Sequence, residues 1–342
     1  MPALLPFRAL FYPDIAANPF LYLPGEQTGP FVQARQIDEL LAQGALWEDR
    51  EAALFLYRQC FYFPGLQQEW TRTGVMGIPG DPSNIYVHEQ VFEAGIEACR
   101  EELGNAGACV SSLFLWCNDI EAALARLLKT EAAPLFEYVD TFGCRHQFWR
   151  MADPAWISAV QGALAGQPLF LADGHHRFAA NWQLATIQIR GAALQTFAAH
   201  RLVLEARNME LPETQPLDDL QAYWEKTPPG MARFGVLLPE LRGFELPCAA
   251  DERNVSVLHR LVLRDAVVKP VRDVAQAANK VRNGDACMAL LMEPLRIGDV
   301  EADALRGIRL PPKSTDFFPK LAAGMVMYRH SRQNELDGTR DR

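Results

Sequence analysis

Residues 173–177 read Asp-Gly-His-His-Arg, a run of side chains suited to holding an anion. The apolar stretch Pro168-Leu169-Phe170-Leu171-Ala172 leads into it and predicts a short strand. A helix is expected to follow over Arg177–Ile187, with Phe178, Trp182 and Ala185 at i, i+4 and i+7 on one face. Asp173 fits the N-cap, which puts Gly174, His175 and His176 in the first turn. A helix N-terminus carries partial positive charge and prefers acidic side chains. Two histidines and an arginine break that rule, and a broken local rule marks a functional site. A bound anion on the free backbone N–H groups relieves the break. Arg177 supplies a forked contact to phosphate or carboxylate, and Gly174 lets the backbone approach closely. His175 and His176 hydrogen-bond the same anion or move a proton. Asp173 has a second role open to it, as base or metal ligand of a transfer reaction. The bland alternative is an ordinary Asp cap with solvated histidines. Adjacent histidines point in different directions and no third ligand stands at metal spacing, so no protein-held metal site is expected.

Other residues could join this chemistry. Pro311-Pro312-Lys313-Ser314-Thr315 predicts a rigid loop presenting an ammonium and two hydroxyls, which can hold phosphate; a surface turn with a solvated lysine is the alternative. Glu89 follows the strand-like Ile85-Tyr86-Val87 and precedes a helix. It reads as a general base, a magnesium ligand, or a first-turn glutamate serving the helix dipole. His88 shares that ambiguity. His200-Arg201 lies on an expected strand, facing the same cleft or forming a structural pair. His259 flanks a core stripe, and His146 is given no role.

Several elements must position these groups. A helix is expected over Val32–Gln43, after an irregular Pro/Gly/Ala-rich lead-in at 12–32. Ala53–Phe61 and Thr71–Gly77 around Pro64-Gly65 predict a hairpin, and Phe136–Asp140 with Arg145–Met151 around Phe142-Gly143 a second. Helices are expected over Val91–Leu103 and Glu121–Lys129, and one opens at Asp153-Pro154. Further strands are expected at Val110–Trp116, Thr196–Glu205, Phe234–Leu238, Gly243–Leu246 and Cys287–Met292. Helices are expected over Leu217–Glu225, Val255–Asp265 with Asn254 as its cap, and Ala275–Val281. Hairpins together with helix-linked strands argue for an α+β fold with mixed sheets. The expected domains are 1–205, carrying the Asp-Gly-His-His-Arg site, and 206–330, contributing the Pro-Pro-Lys-Ser-Thr loop, with a flexible, charged tail at 331–342.

The chain's 342 residues suffice for a large core without disulfides or metals. The formal net charge of −9 repels phosphate backbones and anionic lipid, so neither nucleic acid nor a membrane surface is an expected partner. No apolar run approaches the roughly 18 residues of a membrane span, and Met1–Pro13 makes a poor signal peptide. The seven cysteines are scattered without a CxxC and read as reduced thiols of a cytoplasmic protein.

Leu171-Ala172-Asp173-Gly174-His175-His176-Arg177-Phe178 resembles the hallmark of a widespread prokaryotic family known as domain of unknown function 1015. The resemblance extends to Pro6-Phe7-Arg8-Ala9, Arg145–Arg150, His200-Arg201-Leu202-Val203, Ser256-Val257-Leu258-His259, Val271-Arg272-Asp273 and Pro311–Lys320. The family's usual Pro-Pro-Tyr-Asp stretch has no clear counterpart in Tyr12-Pro13-Asp14. Gly174-His175-His176-Arg177 is also similar to the Gly-x-His-Arg signature of the ParB/sulfiredoxin superfamily, which binds nucleotide phosphates and includes free-serine kinases. That similarity implies a ParB/sulfiredoxin-like core around the turn. His175 stands where sulfiredoxin uses cysteine, and the net charge argues against ParB-like DNA binding. What remains is a nucleotide-dependent phosphotransferase on a small hydroxylated metabolite, free L-serine by analogy, with ATP or ADP and Mg²⁺. In that reading His175, His176 and Arg177 bind the phosphoryl group, and Lys313 and Ser314 hold a second anionic group. Asp173 or Glu89 then orients or deprotonates the hydroxyl, with Gly174 and Arg201 completing the site. The alternative is a non-catalytic nucleotide- or phosphometabolite-binding regulatory protein. Homo-oligomerisation is left open.

Overall fold

The computed structural model describes residues 3–13, 34–63, 67–118, 122–191, 193–195, 200–203, 209–238, 240–264 and 266–329. They form a mixed α+β structure with several sheets. No helix among them is long and apolar enough to cross a membrane. The chain divides into two compact units, one of residues 1–87, 91–194 and 319–342 and the other of 88–90 and 195–318. The division differs from a single seam at 205/206. Met327–Arg329 pairs with Ala9–Phe11 and Ala108–Cys109, so the C-terminal strand is built into a small sheet of the first unit.

The first unit is organised by a nine-stranded sheet. Leu54–Tyr62 and Glu69–Pro79 form one antiparallel hairpin, Phe136–Val139 and Arg145–Met151 another, and the two hairpins pair side by side. Both correspond to hairpins expected from sequence; Pro64-Gly65 itself lies outside the described residues. The strand leading to the motif, Leu169–Asp173, lies between Ile85–Tyr86, to which it is parallel, and Leu113–Cys117, to which it is antiparallel. Leu113–Cys117 and Leu169–Ala172 are buried at every position. Continuous burial is the pattern of a strand covered on both faces. In register across the three strands, Tyr86, Phe170 and Trp116 form an aromatic ladder, with the Phe170 ring 5.3 Å from Trp116 and 5.8 Å from Tyr86.

The second unit carries a six-stranded sheet with a core of Val203, Phe234, Phe244, Val257, Leu258 and Leu290. Phe234 faces Phe244 in register, with ring centroids 5.2 Å apart. Val268–Val271, a strand not expected from sequence, forms an edge of this sheet, and Ile297–Leu305 is a further unexpected helix. Arg253 rather than Asn254 occupies the N-cap of Asn254–Leu258, and His259–Leu263 continues it as a π turn.

The largest departure lies at the motif. The helix there spans only His175–Ala179, and Ala185–Ile189 is a strand. Asn181 takes a left-handed φ of 62°, which stops the helix. Trp182 donates its indole N–H to the Ser111 carbonyl, which draws it into the core. Ala-Thr-Ile-Gln-Ile then pairs with both Leu113–Cys117 and Glu69–Pro79. Phe178, Trp182 and Ala185 therefore do not share a helix face. The expected tail at 331–342 lies outside the described residues, as do the flanks of His200–Val203 and most of the lead-in at 12–32.

Phe170 is 1% exposed and central to the aromatic ladder, so Phe170→Ala should destabilise the first unit by about 3–5 kcal/mol. Chemical denaturation measures this, and a loss under about 1 kcal/mol would show that the ladder does not hold the motif strand.

Candidate functional site

The motif strand leaves its sheet irregularly. Leu171 pairs with Leu115, but Asp173 pairs with Phe114, so one extra residue, Ala172, is inserted. Such a bulge re-aims the following side chain, and here it turns Asp173 to the face opposite Leu171. Gly174 follows at φ 98°, in the left-handed region, and makes no side-chain cap bond. The conformation requires glycine, and a Cβ there would also crowd Leu113 Cδ2 at 3.0 Å and Arg177 Nε at 3.2 Å. Asp173 is thus the last residue of a strand and not a helix N-cap. Its carboxylate turns to side chains because Gly174 takes the cap position.

Each Asp173 oxygen holds one cation. Oδ2 accepts from Arg177 Nη2 at 2.7 Å, and Oδ1 from Lys320 Nζ at 2.8 Å. Arg177 also donates through Nη1 to Ser111 Oγ at 2.6 Å and to the Ser112 carbonyl at 3.2 Å. Its guanidinium therefore ties the turn to the start of the neighbouring strand as well as carrying charge. The Lys320 side chain is 24% exposed against 12% for Arg177, so the lysine is the more accessible cation. Spacing within the motif gives no sign of Lys320, which lies 147 residues downstream. The only sequence signal is its place in the Pro311–Lys320 block.

The two histidines part company. His175 is buried. His176 packs edge-on against Phe92, with ring centroids 4.4 Å apart, and its Nε2 accepts the Phe92 backbone N–H at 3.3 Å. Accepting through Nε2 leaves the neutral ring's proton on Nδ1. Gly95 makes room for this ring, since a Cβ at that position would lie 2.4 Å from His176 Cδ2.

The remaining candidates lie in the second unit. Glu89 Oε1 accepts from Thr315 N at 2.7 Å and Thr315 Oγ1 at 2.8 Å, and Oε2 accepts from Lys313 N at 3.0 Å. His88 Nε2 meets Thr315 Oγ1 at 2.9 Å. The threonine's single proton goes to Glu89, so His88 donates. Glu89 is thereby a clamp on the loop, also joined by the bridge between Glu89 and Leu310. Ser314 is buried and donates its hydroxyl to the Pro311 carbonyl at 2.5 Å. Both hydroxyls are therefore engaged in the structure, that of Ser314 within the turn and that of Thr315 by Glu89. Lys313 is exposed at a left-handed φ of 62°. Arg272, unsuspected as a contributor, braces the loop through both oxygens of Asp316, its guanidinium 4.8 Å from the centre of the Phe318 ring. Arg201 pairs with Pro270 and Leu290 through its strand; its side chain lies outside the described residues.

Among the described residues, Asp140, Cys144 and His146 bring possible metal-ligand atoms within 4.8 Å of one another. Hydrogen bonds already join much of this group. His146 Nε2 lies 3.1 Å from Asp140 Oδ2, and Asp140 Oδ1 accepts from the Phe142 and Cys144 amides. Burial pushes the Cys144 thiol well above its ordinary range, away from the thiolate a metal needs.

Residues 26–193 match the model of the family described as Protein of unknown function (DUF1015). The DUF1015 match includes Glu89 and the whole 173–177 turn; Lys313, Ser314 and Lys320 lie beyond it. No curated protein matches the chain. Among solved structures, a free serine kinase in complex with AMP is 13% identical at a TM-score of 0.41, covering 74% of this chain and 92% of its own. A conserved hypothetical protein from Pyrococcus furiosus is 12% identical at a TM-score of 0.41, with 74% and 95% covered. A C-terminally truncated SbnI from Staphylococcus aureus is 9% identical at a TM-score of 0.41, with 77% and 93% covered. Likenesses of that grade leave the chemistry to this chain's own residues.

Two substitutions test the geometry. Gly95→Ala should displace the His176 ring and change its imidazole NMR signals, whereas unchanged signals would contradict the close packing. Glu89→Gln keeps one accepting oxygen but sets an NH₂ group against one of the loop amides. It should cost about 1.5–3 kcal/mol in chemical denaturation, and a cost near zero would remove the clamp.

Proposed function

We propose that the turn at 173–177 binds the phosphates of a nucleotide, and that the chain transfers a phosphoryl group to a small hydroxylated metabolite. The observation that carries this reading is the Arg177–Asp173–Lys320 triad, two cations fixed on one carboxylate at the end of a strand. Phosphoryl transfer asks a protein chiefly for positioning and for stabilisation of charge on the transferring group. Lys320 and Arg177 supply positive charge, and Gly174 lets the backbone come close. Asp173 orients the cations and, in this reading, also orients or deprotonates the acceptor hydroxyl. Free L-serine is the acceptor of first choice, because Gly174-His175-His176-Arg177 is similar to the superfamily that includes free-serine kinases. A ParB/sulfiredoxin-like core around the turn belongs to the same reading.

Asp173 already holds two cations and Glu89 three hydrogen bonds. No step is assigned to Mg²⁺, which enters the assay as the counter-ion of the nucleotide.

A second reading, a non-catalytic nucleotide- or phosphometabolite-binding protein, draws support from the loop at 311–315. Glu89 is engaged as its clamp and the Ser314 hydroxyl is turned inward, which subtracts groups from a catalytic reading. Phosphorus NMR of the full chain with Mg²⁺, ATP or ADP and a panel of hydroxy-amino acids separates the two. A new phosphomonoester signal on serine or a relative is expected. Nucleotide-raised melting temperature without turnover would reject the transferase and retain the binder; neither effect would reject both.

A further inference from the structure

Resting on the anion-binding reading of the turn, we propose that Lys320 is the ligand-binding cation of that site and that a buried polar network, carried mainly by strands of the nine-stranded sheet, positions it. The network's members are Asp140, His146, Tyr57, Gln59 and Arg72, none of which belongs to the motif.

The segment at 319–322 has no regular secondary structure, and side chains take over part of the role of a ladder. Three of its backbone groups are held by three different side chains. Arg72 Nη2 donates to the Pro319 carbonyl at 2.7 Å, Gln59 Nε2 donates to the Lys320 carbonyl at 3.0 Å, and Tyr57 Oη accepts the Ala322 N–H at 2.9 Å. All three side chains are 3% exposed or less. Arg72 and Gln59 are themselves joined, Nη2 to Oε1, at 2.7 Å.

Tyr57 is braced in turn, and its hydrogen bonds have one consistent direction. Its oxygen accepts from Ala322, so its own proton goes to His146 Nδ1 at 2.7 Å. His146 then carries its proton on Nε2 and donates to Asp140 Oδ2 at 3.1 Å. Asp140 Oδ1 takes the amides of Phe142 and Cys144 in the hairpin turn. The chain of bonds thus runs from a hairpin turn, through three buried side chains, to the backbone two residues past Lys320.

A polar network of this kind is costly to bury unless its members satisfy one another, and satisfied it fixes one geometry. Burial lowers the Arg72 pKa to about 10, and burial raises Tyr57 well above its ordinary value. Asp140 is pushed up by burial, but hydrogen bonds from His146 and the turn amides outweigh this and hold it below its ordinary value. The stability that Asp140 contributes is therefore present above its unfolded pKa and lost as pH falls through the folded one. What this rigid support carries at the site is the Lys320 ammonium, 2.8 Å from Asp173.

The test uses the full chain with isotope-labelled lysine side chains, read by NMR, and ADP as probe, titrated by calorimetry. Lys320→Met should weaken ADP binding about tenfold or more, and Lys320→Arg should recover most of it. Tyr57→Phe keeps the ring but removes the hydroxyl. It should shift the Lys320 signal, speed exchange of the Ala322 amide and weaken ADP several-fold. His146→Gln should act in the same direction and guards against a peculiarity of one variant. Unchanged Lys320 signal and ADP affinity in a folded Tyr57→Phe protein would overturn the positioning role. ADP binding that survives Lys320→Met would overturn the lysine's role while leaving nucleotide binding in place. If the unaltered chain binds no ADP, the nucleotide reading falls and takes the ligand role of Lys320 with it; the lysine signal still decides the positioning claim.

Discussion

The structure of the motif depends on one carboxylate holding two cations. A partly buried charge is costly unless it is paired, and removing one partner leaves the others exposed to that cost. Asp173 answers Arg177 with one oxygen and Lys320 with the other. The bulge at Ala172 aims the carboxylate, and Gly174 lets the chain turn beneath it. Ser111 and Ser112 fix the far side of Arg177. The segment at 319–322 brings in Lys320 from a remote part of the sequence. Each of these features has a local physical cause, and each settles the position of one participant.

The second cluster shows the opposite use of the same chemistry. Glu89 is a carboxylate among donors, yet those donors are two loop amides and a threonine hydroxyl. It shapes the Pro311–Thr315 turn and leaves Lys313 as the exposed charge of that loop. A glutamate between a strand and a helix invites a catalytic reading from sequence. The partners of its oxygens decide between base and clamp, and partners are not a property of residue type.

Much of the fold is legible in the chain. Aromatic and β-branched runs around turn residues mark both hairpins, and Asp153-Pro154 caps and opens its helix as its residues require. The strand before the motif is an apolar run bounded by Pro168 and Gly174. The helix after it is misread, because three apolar residues at helical spacing also fit a one-turn helix followed by a bend and a strand. The deciding facts are the left-handed Asn181 and the bond from Trp182 to Ser111, and the second joins residues far apart in sequence. The motif itself stands out because its charges are wrong for a helix start. The actual resolution is partly internal, with Asp173 neutralising its own arginine. Lys320 and the Tyr57–His146–Asp140 chain are hidden from local patterns because they act across the fold. His146 in particular reads as an unremarkable strand residue until its two ring nitrogens are seen with partners.

The central claim is that this triad presents positive charge to phosphate. A crystal structure of the full chain grown with ADP tests it most directly. The account predicts a phosphate oxygen within about 3 Å of Lys320 Nζ, with Asp173 still bridging the lysine and Arg177. A nucleotide bound elsewhere, with the Lys320–Asp173 pair closed and untouched, would contradict it.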